Sequence, residues 1–208
     1  MRGRFITFEG GEGTGKSTQI ARLAARLRAR GIDPLVTREP GGTPLAEAIR
    51  SLLLDPARRP EAWTEALLMV AARSELSSTV MRPALAAGEV VLCDRYGDST
   101  LAYQGSGRGL DWDLLATLNR AATSGLTPDL TLLFDLDPEV GVRRREHASA
   151  EWNRLDREPL EFHRRVRAGY HRLAAAEPRR FTVLDATLPA DRLEELVWEA
   201  FELRFARR

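Results

Sequence analysis

Lysine is nearly absent from this chain. Lys16 is the only one in 208 residues, and the other thirty basic positions are arginine. A chain that keeps a single ammonium places a compact point charge on a flexible stem there, which suits contact with two phosphate groups at once. Cysteine is as scarce: Cys93 stands alone in an apolar run. That excludes an internal disulfide, no Cys/His cluster has zinc spacing, and the thiol reads as an inert core residue. No apolar run approaches the roughly 18 residues of a membrane span. The N-terminus enters a strand at once, with no room for a signal peptide, so the expected location is the cytoplasm. An excess of one charge sign is lacking too. The net charge is +1, which makes no case for a nucleic-acid partner. The arginine runs at 143–145 and 164–165 read as solvated helix faces or local anion contacts. Scarce Gln, Asn and Met, with Arg in place of Lys, fit a thermophile or a GC-rich genome.

What is there centres on Gly10-Gly11-Glu12-Gly13-Thr14-Gly15-Lys16-Ser17, followed by Thr18. It fits Gly-x-x-x-x-Gly-Lys-Ser/Thr. An apolar run at 4–9 precedes it as a strand, and a helical pattern from 17 to about 30 follows, which is the context the motif requires. Glycines allow a tight turn that directs several backbone N–H groups inward, and the helix N-terminus adds its positive end. Lys16 would reach the β- and γ-phosphates, and the Ser17 hydroxyl would ligate Mg²⁺.

The rest of the chain alternates. Residues 33–37 read as a second strand, and 38–44 as a Pro- and Gly-rich loop. Thr43 would cap the next helix, with Pro44 at its first position, running to about Leu54. The pattern from 61 to 87 is the longest helix. Its middle, 66–72, is apolar on every side, which predicts burial all round, either as a monomer's central helix or beneath a partner subunit in a homodimer. Pro83 should kink it or end it early. Apolar runs at 89–94, 129–136 and 181–185 read as strands buried on both faces. Helical patterns cover 111–123, 138–146, 159–176 and 191–207. The sum is an α/β fold of P-loop type: one domain over 1–208, a five-stranded parallel sheet, and helices on both faces. Ligands belong at the carboxyl ends of the strands, where Glu9, Arg38 and Asp94 fall.

Asp94 closes its apolar run as an acid holding Mg²⁺, directly or through water, would. Arg95 beside it makes sense if a second anionic substrate binds there; the alternative is a buried ion pair. Several segments together carry a resemblance: 8–10 leading into the loop, Thr37-Arg38-Glu39-Pro40-Gly41-Gly42-Thr43, Ala71-Ala72-Arg73, Asp94-Arg95-Tyr96 with Ser99, Ala102-Tyr103-Gln104-Gly105, and 128–131. By these the chain resembles the bacterial thymidylate kinase family, over nearly its whole length. Those enzymes transfer a phosphoryl group from ATP to dTMP.

The resemblance implies a set of roles. Arg38, Arg73 and Arg95 line the dTMP site, and the arginine matching Arg73 also reaches the base; bidentate guanidinium groups suit a phosphate monoester. Ser99 belongs to the same site. Gln104 pairs with the N3–O4 edge of thymine, offering a donor and an acceptor side by side. Tyr103 lies under the sugar and leaves no room for a 2′-hydroxyl. Glu12 accepts from the 3′-hydroxyl, rather than being a merely exposed loop acid. Met69 stands where the family often has an aromatic residue against the base; its polarizable sulfur still makes such a contact, more loosely. Some relatives carry an arginine after the P-loop acid. Here that place is Gly13, and in the bacterial branch a mobile lid supplies the charge. The lid is expected at about 143–157. The family's Asp-Arg-x-Glu motif falls on Asn153-Arg154-Leu155-Asp156, making Arg154 the catalytic lid arginine, with Arg157 as competitor. Arg144 would pack on adenine. His163 and His171, eight apart on one helix, are expected at the surface.

Other classes fare worse. A GTP switch needs Asn-Lys-x-Asp to read guanine, and the only lysine is Lys16. A nucleic-acid-bound ATPase predicts a basic face and salt-sensitive DNA affinity. Another pyrimidine (deoxy)nucleoside monophosphate kinase, or a deoxynucleoside kinase, stays open at this stage. The three arginines favour an acceptor that already carries phosphate.

Overall fold

The computed structural model describes residues 3–147 and 153–205. Five parallel strands form one sheet: β1 (Arg4–Gly10), β2 (Leu35–Arg38), β3 (Val90–Asp94), β4 (Leu130–Asp135) and β5 (Phe181–Asp185), in the order β2-β3-β1-β4-β5. β1 lies at the centre and pairs Phe8 with Asp94 on one side and with Leu132 on the other. This register sets the ends of β1 and β3 side by side, with the end of β2 next to them through the pair Arg38–Asp94. The central strands are buried on both faces, as their unbroken apolar runs require; the edge strands β2 and β5 leave Val36 and Val183 half exposed.

Helices cover both faces. On one, α1 (Lys16–Arg28) and α9 (Ala190–Phe205) pack Ile20, Leu23, Leu27, Val197 and Phe201 against Ile6, Phe8, Leu132 and Phe134. Burying each large side chain of this kind stabilises the fold by about 1.5–3 kcal/mol. On the other face α3 (Ala62–Leu76) and α4 (Arg82–Ala86) cover Phe5, Val91 and Cys93, while α8 (Leu160–Ala176) and residues 101–107 build a third apolar cluster around Tyr103, Phe162 and Tyr170. The remaining helices are α2 (Pro44–Leu54), α5 (Gly97–Thr100), α6 (Trp112–Ala122) and α7 (Pro138–His147). Thr43 caps α2 as expected: its side chain accepts from the Ala46 N–H at 3.1 Å, and Pro44 begins the helix.

Three features go beyond what the sequence predicts. First, of the two outcomes expected at Pro83, a kink or an early end, the early end does not occur. A π-helical turn, Ser77–Met81, joins α3 to α4, and the Arg82 N–H bonds the Ser77 carbonyl five residues back. The wide turn accommodates the proline ring and its missing N–H. Second, the apolar middle of this helix is not buried all round within one chain, which rules out the central-helix alternative and leaves the partner-subunit one open. Ala66, Val70 and Ala72 are inside, but Leu67 is 51% exposed and Trp63 37%. Third, 101–107, which the sequence left without an element, is a second π-helical segment continuing α5. Of the expected lid, residues up to 147 continue α7 and 153 onward form turns leading to α8; 148–152 lie outside the described residues.

Candidate active site

The strand ends open into a cavity of about 510 Å³ that runs from the glycine loop toward α3. The loop forms one wall. Gly13 (φ +68°) and Gly15 (φ +84°) hold left-handed backbone, and Gly15 leads into α1, which carries no side-chain cap. Those first-turn N–H groups and the helix dipole make an anion site. Lys16 folds over the loop: Nζ donates to the carbonyls of Gly10 (3.2 Å) and Gly11 (2.7 Å) and to Thr14 Oγ1 (3.2 Å). Burial lowers its pKa and Arg95 adds to that, while Glu12, Asp94 and Glu9 oppose them. Gly13 meets α7 directly. A Cβ there would sit 2.4 Å from the carbonyl oxygen of Gly141 in α7.

Beside the loop stands a connected set. Arg95, itself at φ +68°, donates from Nη2 to Glu12 Oε1 at 2.6 Å and from Nη1 to the Gly10 carbonyl at 2.9 Å. The Tyr103 hydroxyl donates to the same Glu12 oxygen at 2.9 Å, and the Arg95 guanidinium lies 4.9 Å from the Tyr103 ring centre. Burial works against ionisation of Glu12, but Arg95, Lys16 and Tyr103 together outweigh it and hold the carboxyl at about 2. Behind them Glu9 is fully buried and accepts from Ser99 Oγ (2.7 Å), Tyr170 Oη (2.8 Å) and the Tyr96 N–H (2.7 Å). Burial and the charge of Asp98 push it up to about 7, with Ser99, Arg95 and Tyr170 pulling back.

Asp94 lines the same cavity as Ser17 and Thr18, and its Oδ1 is buried with no hydrogen-bond partner among the described residues. A buried acceptor left open in this way fits an oxygen-seeking cation that takes its remaining ligands from substrate phosphates and water. Among the described residues no group of three or more His, Cys, Asp or Glu gathers to hold a metal by itself.

Besides Arg95, three further arginines line this part of the cavity. Arg38 is half exposed and pairs with Glu47 at 3.0 Å. Arg73 is 2% exposed, and much of its fork is spent inside: Nε on Glu39 (2.7 Å), Nη1 on Thr100 and Asn119 (2.7 and 2.6 Å), Nη2 on the Tyr96 carbonyl (3.0 Å). Burial raises Glu39 to about 7 against the pull of Arg73. The third, Arg50, was not singled out by the sequence; it donates to the Pro40 carbonyl at 2.8 Å. Its only signal is helical spacing, since Glu47, Arg50 and Leu54 share one face of α2. Met69 and Gln104 line the far end of the cavity. Gln104 Nε2 donates to Glu65 at 2.9 Å.

The arginines of the expected lid segment are divided. Arg144 reaches the cavity and donates to the Ala186 carbonyl at 2.8 Å; Arg145 and Asn153 reach it too. Arg154 is not among the lining residues. It is bound to the Leu53 carbonyl (2.9 Å) and to Glu65 (2.5 Å). Arg157 is exposed. His163 is not at the surface: it is 7% exposed, tucked beside Phe162, and burial lowers its pKa. His171 is exposed as expected, 3.0 Å from Asp135. Cys93 is buried and its thiol is pushed well up by that burial, which leaves it inert.

A glycine loop holding a lysine, an acid closing the neighbouring strand and an arginine-lined second arm define a P-loop phosphotransferase acting on a small anionic acceptor. The comparisons narrow this to one family. The thymidylate kinase family model matches residues 8–197. The thymidylate kinase of Thermomicrobium roseum is 60% identical over 195 residues, covering 93% of this chain and 92% of that protein. That of Deinococcus radiodurans is 55% identical over 203 residues, covering 98% of each. The crystal structure of thymidylate kinase from Ehrlichia chaffeensis superposes with a TM-score of 0.79 at 32% identity, over 97% of this chain and all of that one. The chain belongs to the thymidylate kinase family.

Proposed function

We propose that this cavity carries the transfer of the terminal phosphoryl group of ATP to the phosphate of dTMP, with the residues named above in the following roles. The reaction is that of the family; the assignments are our reading. The donor lies along the loop, where Gly11 to Thr18 and the α1 N-terminus surround its phosphates and Lys16 turns from the loop carbonyls onto them. Arg144 lies against the adenine. The acceptor lies across the strand ends: Arg38, Arg73 and Arg95 hold its phosphate, Glu12 takes the 3′-hydroxyl, Tyr103 underlies the sugar, and Met69 and Gln104 meet the base, with Ser99 fixing Arg95 and Glu9. Ser17 and Asp94 are the residues that would hold Mg²⁺, which neutralises charge on the phosphate oxygens when bound. Residues 143–157 act as a lid, and Arg154 leaves Glu65 to meet the transferring group as an arginine supplied in cis. Closure excludes water and suppresses hydrolysis of the donor.

The observation that carries this reading is the Arg95–Glu12–Tyr103 set, which places a guanidinium and a fully ionised carboxylate beside the lysine of the loop. Two charges held in that order suit an acceptor with a phosphate at one end of its sugar and a hydroxyl at the other. The chain works in the cytoplasm as a single domain, and as a homodimer through the 61–87 helix, whose outward Trp63 and Leu67 offer apolar surface to a second copy.

A coupled ADP-release assay with ATP·Mg²⁺ tests the reading against dTMP, dUMP, dCMP, UMP, AMP, thymidine and no acceptor. The expected result is strong turnover with dTMP, weaker with dUMP and almost none otherwise. Turnover on thymidine but not dTMP would mean the arginines are misassigned. Sedimentation of the native chain beside Leu67→Glu tests the dimer, which the charge should split.

A further inference from the structure

Glu65 has no solvent exposure, stands on α3 one helical turn before Met69, and appears above only as the partner that Arg154 leaves. A buried, unpaired carboxylate is unfavourable by several kcal/mol, so its partners tell what it does. Four donors meet its two oxygens. Gln104 Nε2 (2.9 Å) and Arg108 Nε (3.2 Å) bind Oε1; Arg108 Nη2 (3.0 Å) and Arg154 Nη2 (2.5 Å) bind Oε2. Burial opposes ionisation, and Arg108, Gln104 and Arg154 overcome it, so the pKa is lowered and the group is ionised.

An ionised carboxylate only accepts hydrogen bonds. It therefore fixes which end of the Gln104 amide points at it. A flipped amide would set its oxygen against a carboxylate oxygen, and both would lose a partner. With one N–H committed to Glu65, the edge that remains for the cavity is the carbonyl oxygen and the second N–H. Gln104 is 1% exposed and lines the cavity, so that edge is what a base meets.

The geometry points to Glu65 as the residue that sets base selectivity, by locking the Gln104 amide so that it reads a base with an N3–H donor beside an O4 acceptor and rejects one with the opposite pair. Thymine and uracil have the first arrangement. Cytosine has the second, and a glutamine free to flip would read it equally well. Gln104 supplies contact, and Glu65 supplies its polarity. The inference rests on Gln104 being the base-reading residue, as proposed above.

The test is calorimetric binding of dTMP and dCMP to the native chain, to Glu65→Gln and to Gln104→Ala, with thermal melting of each as a folding control. A glutamine at 65 can either donate or accept, so both orientations of Gln104 become available. The preference for dTMP over dCMP should then fall by about tenfold or more. A purely structural role would weaken both nucleotides alike, and an unchanged ratio overturns the inference. If the ratio also survives Gln104→Ala, the base-reading assignment itself is what fails. Should Glu65→Gln not fold, the native chain gives the answer, because it holds only two glutamines, Gln19 and Gln104. With ¹⁵N-labelled side-chain amides, one Gln104 proton should be protected from solvent exchange before nucleotide is added, and the second only with dTMP. Two freely exchanging protons in the nucleotide-free protein overturn the lock.

Discussion

Arg95 Nη2 lies 2.6 Å from Glu12 Oε1 and ties the end of β3 to the glycine loop across the middle of the cavity. The pair is mostly shielded from water, and Glu12 is held at about 2 against an ordinary 4.5. A carboxyl lowered on folding adds stability that is fully present above 4.5 and is lost as pH falls toward 2. Its contribution at neutral pH is about 3 kcal/mol. Glu12→Gln should therefore be less stable than the native chain in urea at pH 7, and the gap should narrow steadily between pH 4.5 and 3. A gap that does not change with pH would show that the ion pair contributes nothing.

Arg154 binds Glu65 and the Leu53 carbonyl, and in the proposed role it must leave them to meet the transferring group. Arg154→Ala should lower kcat by about 10³-fold, the scale of an arginine supplied to phosphoryl transfer, with little change in dTMP affinity. Near-normal turnover would move the role to Arg144, Arg145 or Arg157. Single-turnover kinetics with each arginine replaced separates these.

Gly13 has no room for a side chain. Its backbone is left-handed, and an added Cβ would press on the Gly141 carbonyl at 2.4 Å. Gly13→Ala should raise the KM for ATP about tenfold while leaving dTMP affinity nearly intact, because the strain falls on the donor side. Gly13→Arg, which copies the pattern of some relatives, should not rescue Arg154→Ala. Recovery of turnover in that double variant would mean that α7 yields easily.

Tyr103 combines a ring that fills space with a hydroxyl bound to Glu12, and two substitutions separate them. Tyr103→Phe should keep the preference for a 2′-deoxy sugar and lose some affinity for acceptor. Tyr103→Ala should relax the preference itself, read as the kcat/KM ratio for dUMP over UMP. An unchanged ratio in the alanine variant would remove the ring from sugar discrimination.

The central strands and the glycine loop were legible because local pattern and fold agree there: unbroken apolar runs need burial on both faces, and the loop needs glycine. The second π-helical segment was not, because nothing in Leu101–Gly107 marks a five-residue hydrogen-bond step, although Tyr103 and Gln104 within it were found by resemblance. His163 was misplaced because a step of eight residues turns about 80° past two full helical turns, so it does not share the face of His171 but turns inward beside Phe162 and the Glu158 backbone just before α8. Glu65 had a visible signal, an acid at the edge of an apolar helix and in line with Met69 and Arg73. Its meaning needed Gln104, Arg108 and Arg154, which meet it only once the chain is folded. Arg50 was hidden among thirty arginines.

The lone lysine has a practical consequence. Lys16 is 7% exposed and its ammonium is bonded to three loop oxygens. Amine-directed dyes and cross-linkers, which modify most proteins at many places, therefore find no exposed lysine here, because the single lysine is buried in the loop. Dye found on Lys16 reports molecules whose glycine loop has opened.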